Sequence, residues 1–211
     1  MKRIVLLFFM ILFILIGVNA SYATTYSFQP APVDMEDMDH YKYYLWKINW
    51  GIPSGEYITG ANLSIDDIYN WANESNDILY INLLNNPFPF SSWTPIGSNS
   101  YSSTYRKTDN QALGNAFNGN GLLLVTYSDP TDMTPEDWTY NFTQDQIATL
   151  QNYVSDGLFG FGFDPDCHYY NGGITFTITT TTPVPEPATM LLLGSGLIGL
   201  AGYGRKKFFR K

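Results

Sequence analysis

Between residues 24 and 183, hydrophobic and polar positions mostly follow the rhythm of short strands. In "YKYYLWKINW" (41–50), Tyr44, Trp46, Ile48 and Trp50 share one face, the period-two pattern of a half-buried strand. "IPSGEYITGANLSIDDI" opens with a turn at Pro53-Ser54-Gly55 and continues as a strand carrying Ile58, Leu63 and Ile65. "DILYINLL" and "GLLLVTYS" are continuous apolar runs, short enough to be buried strands. "WTYNFT" puts Trp138, Tyr140 and Phe142 on one face, and "GLFGFGF" and "GGITFTITTTT" read as the last strands, with Ile174, Phe176 and Ile178 inward and threonines outward. One stretch keeps a helical period: "TQDQIATLQNYVSDG" has Thr143 as N-cap, Gln146 three residues on to complete a capping box, and Ile147, Leu150 and Val154 on one face. Gly157 suits the left-handed position that ends a helix. The polar, turn-rich stretch from Asn85 to Gly121 is too long for a structureless loop in a compact domain, so it hides one or two short strands or forms a functional loop. The fold expected is mainly β: an antiparallel, jelly-roll-like β-sandwich with one short α-helix at about residues 143–156. An α+β domain is the alternative.

The two ends break this rhythm. Lys2 and Arg3 precede an apolar run from Ile4 to Val18, and Ser21 and Ala23 supply a small-x-Ala cleavage site. Residues 1–23 therefore read as a secretory signal helix cut by signal peptidase. At the other end, the apolar run from Ala188 to Tyr203 is interrupted by four glycines and followed by Arg205, Lys206, Lys207, Arg210 and Lys211. As a helix of about 16 residues it would span roughly 24 Å, short of the roughly 30 Å hydrocarbon core. Basic residues beside a span stay cytoplasmic, so this tail halts an export that the signal peptide starts.

Val184-Pro185-Glu186-Pro187, a short glycine-interrupted apolar helix and a terminal basic cluster, in that order, resemble the PEP-CTERM sorting signal. The resemblance covers residues 184–211. It implies recognition and cleavage at the Pro-Glu-Pro region by an exosortase, an integral-membrane cysteine transpeptidase-like enzyme. It further implies a Gram-negative, exopolysaccharide-making host, a transient inner-membrane anchor, and a final place at the cell envelope or in the extracellular matrix. The domain at 24–183 carries no such resemblance.

That domain is acidic. The chain holds 11 Lys and Arg and 19 Asp and Glu; seven of the basic residues, and Glu186, lie in the terminal segments. Four basic and 18 acidic residues remain, a net charge of −14. Such a surface repels nucleic acid and anionic lipid, which leaves the membrane only the terminal signals to engage. The single cysteine, Cys167, allows no intramolecular disulfide and reads as an inert, partly buried thiol.

Candidate chemistry is sparse. Cys167 and His168 are adjacent and would face opposite sides of a strand, and no G-x-S-x-G elbow occurs, which argues against a nucleophilic hydrolase. Two acidic stretches stand out: "VDMEDMDHY", with Asp34, Glu36, Asp37 and Asp39, and "FDPDCHYYNGG", with Asp164 and Asp166. Calcium takes six to eight oxygens, and Asp-x-Asp in a turn supplies two carboxylates on one side. Asp164 and Asp166, joined by Asp37 and Asp39 if the first and last strands are neighbours, are thus a candidate calcium site; a solvated acidic turn is the other reading. His40 and His168 beside aspartates are a weaker candidate for zinc.

Aromatic residues are abundant, and exposed rings stack on sugars while amides bond their hydroxyls. Trp71, Trp93, Tyr101 and Tyr105, set among polar neighbours, are candidate carbohydrate contacts, whereas Trp46, Trp50 and Trp138 belong to the core. The function expected is a non-catalytic, exported module that binds exopolysaccharide or builds a matrix. The alternative is an exported polysaccharide hydrolase, which would need two carboxylates about 5–10 Å apart in a groove.

Overall fold

Eleven strands and one α-helix make up a two-sheet sandwich in the computed structural model, which describes residues 22–71, 77–87, 92–109, 113–129, 133–183 and 194–200. Two units divide the chain, Ala23–Thr181 and, separately, Met1–Tyr22 with Thr182–Lys211. The sandwich is the first of these. The signal segment 1–21, the motif Val184–Pro187 and the terminal basic cluster lie outside the described residues. Residues 194–200 are helical, with Leu197, Ile198 and Leu200 exposed. Among the described residues no helix is long and apolar enough to cross a membrane.

The strands are β1 (Ala23–Phe28), β2 (Lys42–Asn49), β3 (Tyr57–Asn70), β4 (Leu79–Asn85), β5 (Thr94–Ser98), β6 (Ser102–Thr108), β7 (Leu122–Tyr127), β8 (Glu136–Asn141), β9 (Leu158–Pro165), β10 (Tyr169–Tyr170) and β11 (Gly173–Thr181). One sheet runs β1-β11-β3, with β8 and β10 also on β3, and the other runs β5-β6-β2-β9-β4-β7. All pairings are antiparallel. With β5, β6 and β10 set aside, the sheets read β1-β11-β3-β8 and β2-β9-β4-β7. The chain crosses between them at every step except β4 to β7, which is jelly-roll connectivity. The long polar stretch does hide two strands: β5 and β6 form a hairpin inserted between β4 and β7 that extends the second sheet at β2.

Alternation explains which side chains meet. Tyr44, Trp46 and Ile48 from β2 pair with Phe163, Phe161 and Phe159 from β9, and all six are fully buried. They face Ile174, Phe176 and Ile178 of β11, with the Phe161 and Phe176 rings 4.8 Å apart. Strand β3 stays in this core over 14 residues by shifting register twice. One shift, opposite Thr179/Thr180, lets Ile58 and Ala61 both point inward; the other, between Ile65 and Ile68, does the same for that pair, with Asp67 in the left-handed region at φ 47°.

The helix α1 spans Gln144–Tyr153, followed by a 3-10 turn at Val154–Asp156. Both halves of the capping box are present, since Thr143 Oγ1 accepts from Gln146 N–H and Gln146 Oε1 accepts from Thr143 N–H at 2.9 Å. Gly157 closes the segment at φ 84°, and Ile147, Leu150 and Val154 are buried.

Candidate functional site

The outer face of the six-stranded sheet is covered at its centre, and the cover makes a cleft. On β9 the phenylalanines point inward, so Gly160 and Gly162 point outward and leave room above the sheet centre. The Phe117 ring fills that room: a Cβ on Gly162 would stand 2.7 Å from it. Leu45, Leu84 and Phe117 form a second apolar cluster here, with Tyr43, Trp93 and Tyr105 packed against it.

Acidic and amide side chains pin the segment 113–121 that delivers Phe117. Asp164 Oδ2 accepts from Ala116 N–H, and both oxygens of Asp166 lie 3.2 Å from Gly114 N. Asn82 and Asn115 exchange reciprocal amide hydrogen bonds of 3.0 and 2.9 Å, and Asn115 Oδ1 also accepts from Phe117 N–H. Asp164 is 1% exposed and its Oδ1 has no hydrogen-bond partner. Burial pushes its carboxyl up to about 7, helped by the nearby Asp109 and Asp166 carboxylates and opposed by the Ala116 N–H. Burial likewise pushes Asp166 up, with Asp109 adding to it and Gly114 N–H opposing.

Beside this segment lies a cleft of about 430 Å³. Its aromatic lining residues are Tyr43, Trp93, Phe117 and Tyr153. Tyr43 stands edge-on to two of the others, at 5.1 Å from Trp93 and 5.6 Å from Phe117, while Trp93 and Phe117 are 6.4 Å apart and tilted by 33°. Asn85, Asn86 and Asn120 supply amides, and Lys107 is the charged residue of the lining, its Nζ 5.7 Å from the Tyr43 ring centroid. No Asp or Glu is among the described residues that line it.

The four aromatic residues singled out in the sequence therefore separate. Trp93 walls the cleft, and Tyr105 lines a neighbouring groove with Pro95, Ile96 and Ser98 on the same sheet. Trp71 is 52% exposed at the end of β3, where its N–H donates to His168 O at 3.0 Å and its ring lies 6.3 Å from the His168 ring. Tyr101 is 57% exposed between β5 and β6, edge-on to Phe28. The residues that sequence reasoning missed are Tyr43, Phe117 and Lys107. Tyr43 and Lys107 face each other across β2 and β6, a pairing no local pattern reveals.

The two acidic stretches meet through their backbones. β1 and β11 are neighbours, Tyr169 N–H donates to Met38 O, and Asn171 Nδ2 donates to Asp34 O at 2.9 Å. Their carboxylates turn to different tasks. Asp164 and Asp166 hold 114–116. Asp37 Oδ1 takes Asn171 N–H at 3.3 Å, and Asp39 takes Tyr41 N–H and pairs with Lys42 at 2.9 Å. Asp34 accepts from Glu36 N–H and Glu36 pairs with Arg106, which steadies a turn of three successive left-handed residues, Met35, Glu36 and Asp37. That turn seats Met35 and Met38 in the core. Burial pulls His168 below its ordinary range against the pull of Asp39 and Asp37, and its Nε2 is buried without a partner. The rings of His40 and His168 stand 6.4 Å apart. Among the described residues no group of three or more His, Cys, Asp or Glu is placed to hold a metal ion. Cys167 is fully buried.

Residues 183–206 match the PEP-CTERM protein-sorting motif. The protein is exported and sorted to the cell surface or beyond it by an exosortase. No curated protein matches the chain. Among solved structures, a bacterial lipoprotein from Bacteroides thetaiotaomicron is 8% identical, over 77% of this chain and 83% of that one, with a TM-score of 0.14. A likeness so low carries no argument.

Proposed function

We propose that the protein is a non-catalytic component of the envelope or extracellular matrix of a Gram-negative bacterium, held briefly in the inner membrane during sorting, and that its body binds polysaccharide in the cleft beside Phe117. The observation that carries this reading is the lining: four aromatic residues with asparagine amides and no carboxylate among the described residues. Sugars stack their apolar faces on such rings and exchange hydrogen bonds with such amides. Glycoside hydrolysis instead requires two facing carboxylates, so the same lining weighs against the alternative of an exported hydrolase. The test is glycan-array binding by the mature protein. Trp93→Ala should abolish retention and leave a cooperative melt, while Trp71→Ala should leave retention intact. Retention that survives Trp93→Ala would remove the cleft as the site.

One atom favours a second ligand. Asp164 Oδ1 is buried without a partner beside Asp166, so calcium bound there is a further reading, although Ala116 and Gly114 already occupy oxygens of both carboxylates. Calcium that raises the melting temperature where magnesium at matched ionic strength does not would support it. A melt that chelator leaves unchanged would end it.

A further inference from the structure

We infer that the cleft takes an acidic polysaccharide, one bearing carboxylates, and that Lys107 meets that charge. This rests on the reading of the cleft as a glycan site and adds the class of glycan.

The four basic side chains of the body, Lys42, Lys47, Arg106 and Lys107, all lie on the paired strands β2 and β6. Lys42 is committed to Asp39 and Arg106 to Glu36. Lys107 makes no ion pair among the described residues. Its register partner is Tyr43, and its ammonium group stands by the Tyr43 ring at the wall of the cleft.

The surroundings sharpen the contrast. The body carries 18 acidic residues, yet none of the described residues lining the cleft is acidic. In a molecule this negative, a lysine outside the described ion pairs, in a recess lined by no described carboxylate, favours an anion. The net charge opposes a polyanion at a distance, but at physiological ionic strength solvent-exposed charges more than about 8 Å apart are largely screened. Lys107 is the charge that the described lining itself presents to a ligand. The rings would hold the apolar face of a sugar, the amides its hydroxyls, and Lys107 the carboxylate at its edge. A neutral sugar would offer the ammonium group no charge to pair with.

The experiment compares oligomers of galacturonate, glucuronate and mannuronate, each against its carboxyl-reduced counterpart, binding to the mature protein in 0.15 M NaCl with chelator present. The acidic member of at least one pair should bind about tenfold more tightly than the reduced one. Lys107→Met should erase that preference while leaving the weaker affinity for the reduced oligomer, and Lys107→Arg should restore it. Equal affinity for both members of every pair, or a preference that survives Lys107→Met, overturns the inference and leaves the glycan reading standing. Binding to none of the oligomers overturns it as well, and the effect of Trp93→Ala on the glycan array then decides the broader reading separately.

Discussion

The two sheets share one core but have opposite outer faces. On the five-stranded sheet, β11 turns Thr175, Thr177 and Thr179 outward beside Asn62 and Ser64 of β3 and Thr139 of β8, and Ser64 and Thr139 join their hydroxyls at 2.9 Å. These short polar side chains make a solvated surface. On the six-stranded sheet the outer positions include Tyr43, Leu45, Leu84 and two glycines, and a separate segment packs over them. Alternation within a strand tells how many faces are buried. The "TFTITTTT" of β11 alternates because one face is wet. The "LYINLL" of β4 barely alternates because both faces are covered.

The largest expected effect tests the shared core. Phe161→Ala removes a fully buried ring between the sheets and should cost about 3–5 kcal/mol by chemical denaturation. On the covered face, Phe117→Ala should cost less than Phe161→Ala, because that ring is at the margin of the fold, yet it should abolish ligand retention by opening one wall of the cleft. If Phe117→Ala proves as costly as Phe161→Ala, the cover is part of the core and the contrast between the two faces fails.

The clamp beneath the cover should respond to pH. The Asp164 carboxyl lies near 7 in the folded chain, well above its ordinary value near 4. A group raised in this way binds more protons folded than unfolded, so its contribution to stability is complete below about pH 4 and is lost as pH rises through 7. In metal-free protein the melting temperature should be several degrees higher at pH 5 than at pH 8, and Asp164→Asn should flatten that difference. A wild-type melt equally high at both values would show that the carboxyl is ionised and satisfied throughout. The smallest effect belongs to the solvated face: Thr177→Ala, on β11, should stay within about 0.5 kcal/mol of wild type and leave ligand retention unchanged.

Much of this arrangement was legible in the chain. The capping box at Thr143 and Gln146, the inward rows of β2 and β11, and the presence of strands within residues 85–121 all depend on residues close in sequence, where backbone geometry dictates which side chains share a face. The core tryptophans were separable in the same way, since Trp46 alternates with Tyr44 and Ile48. Trp71 and Trp93 were not separable from each other, because both sit among polar neighbours. One follows β3 beside His168 and the other lines a cleft.

The sequence alone determined the C-terminal sorting motif, the β-rich sandwich, its helix and the strong negative charge of the body, because each is written in contiguous residues or in simple composition. Only the tertiary structure decided that the β5–β6 hairpin joins the sheet at β2 and sets Lys107 against Tyr43. It likewise decided that Gly162 makes room for Phe117, 45 positions earlier in the chain, and that Asp164 and Asp166 hold the segment carrying that ring. The physical reason is that a strand's own pattern specifies which face is buried, while its neighbours in the sheet are chosen by packing the whole core, and a cleft is made of neighbours.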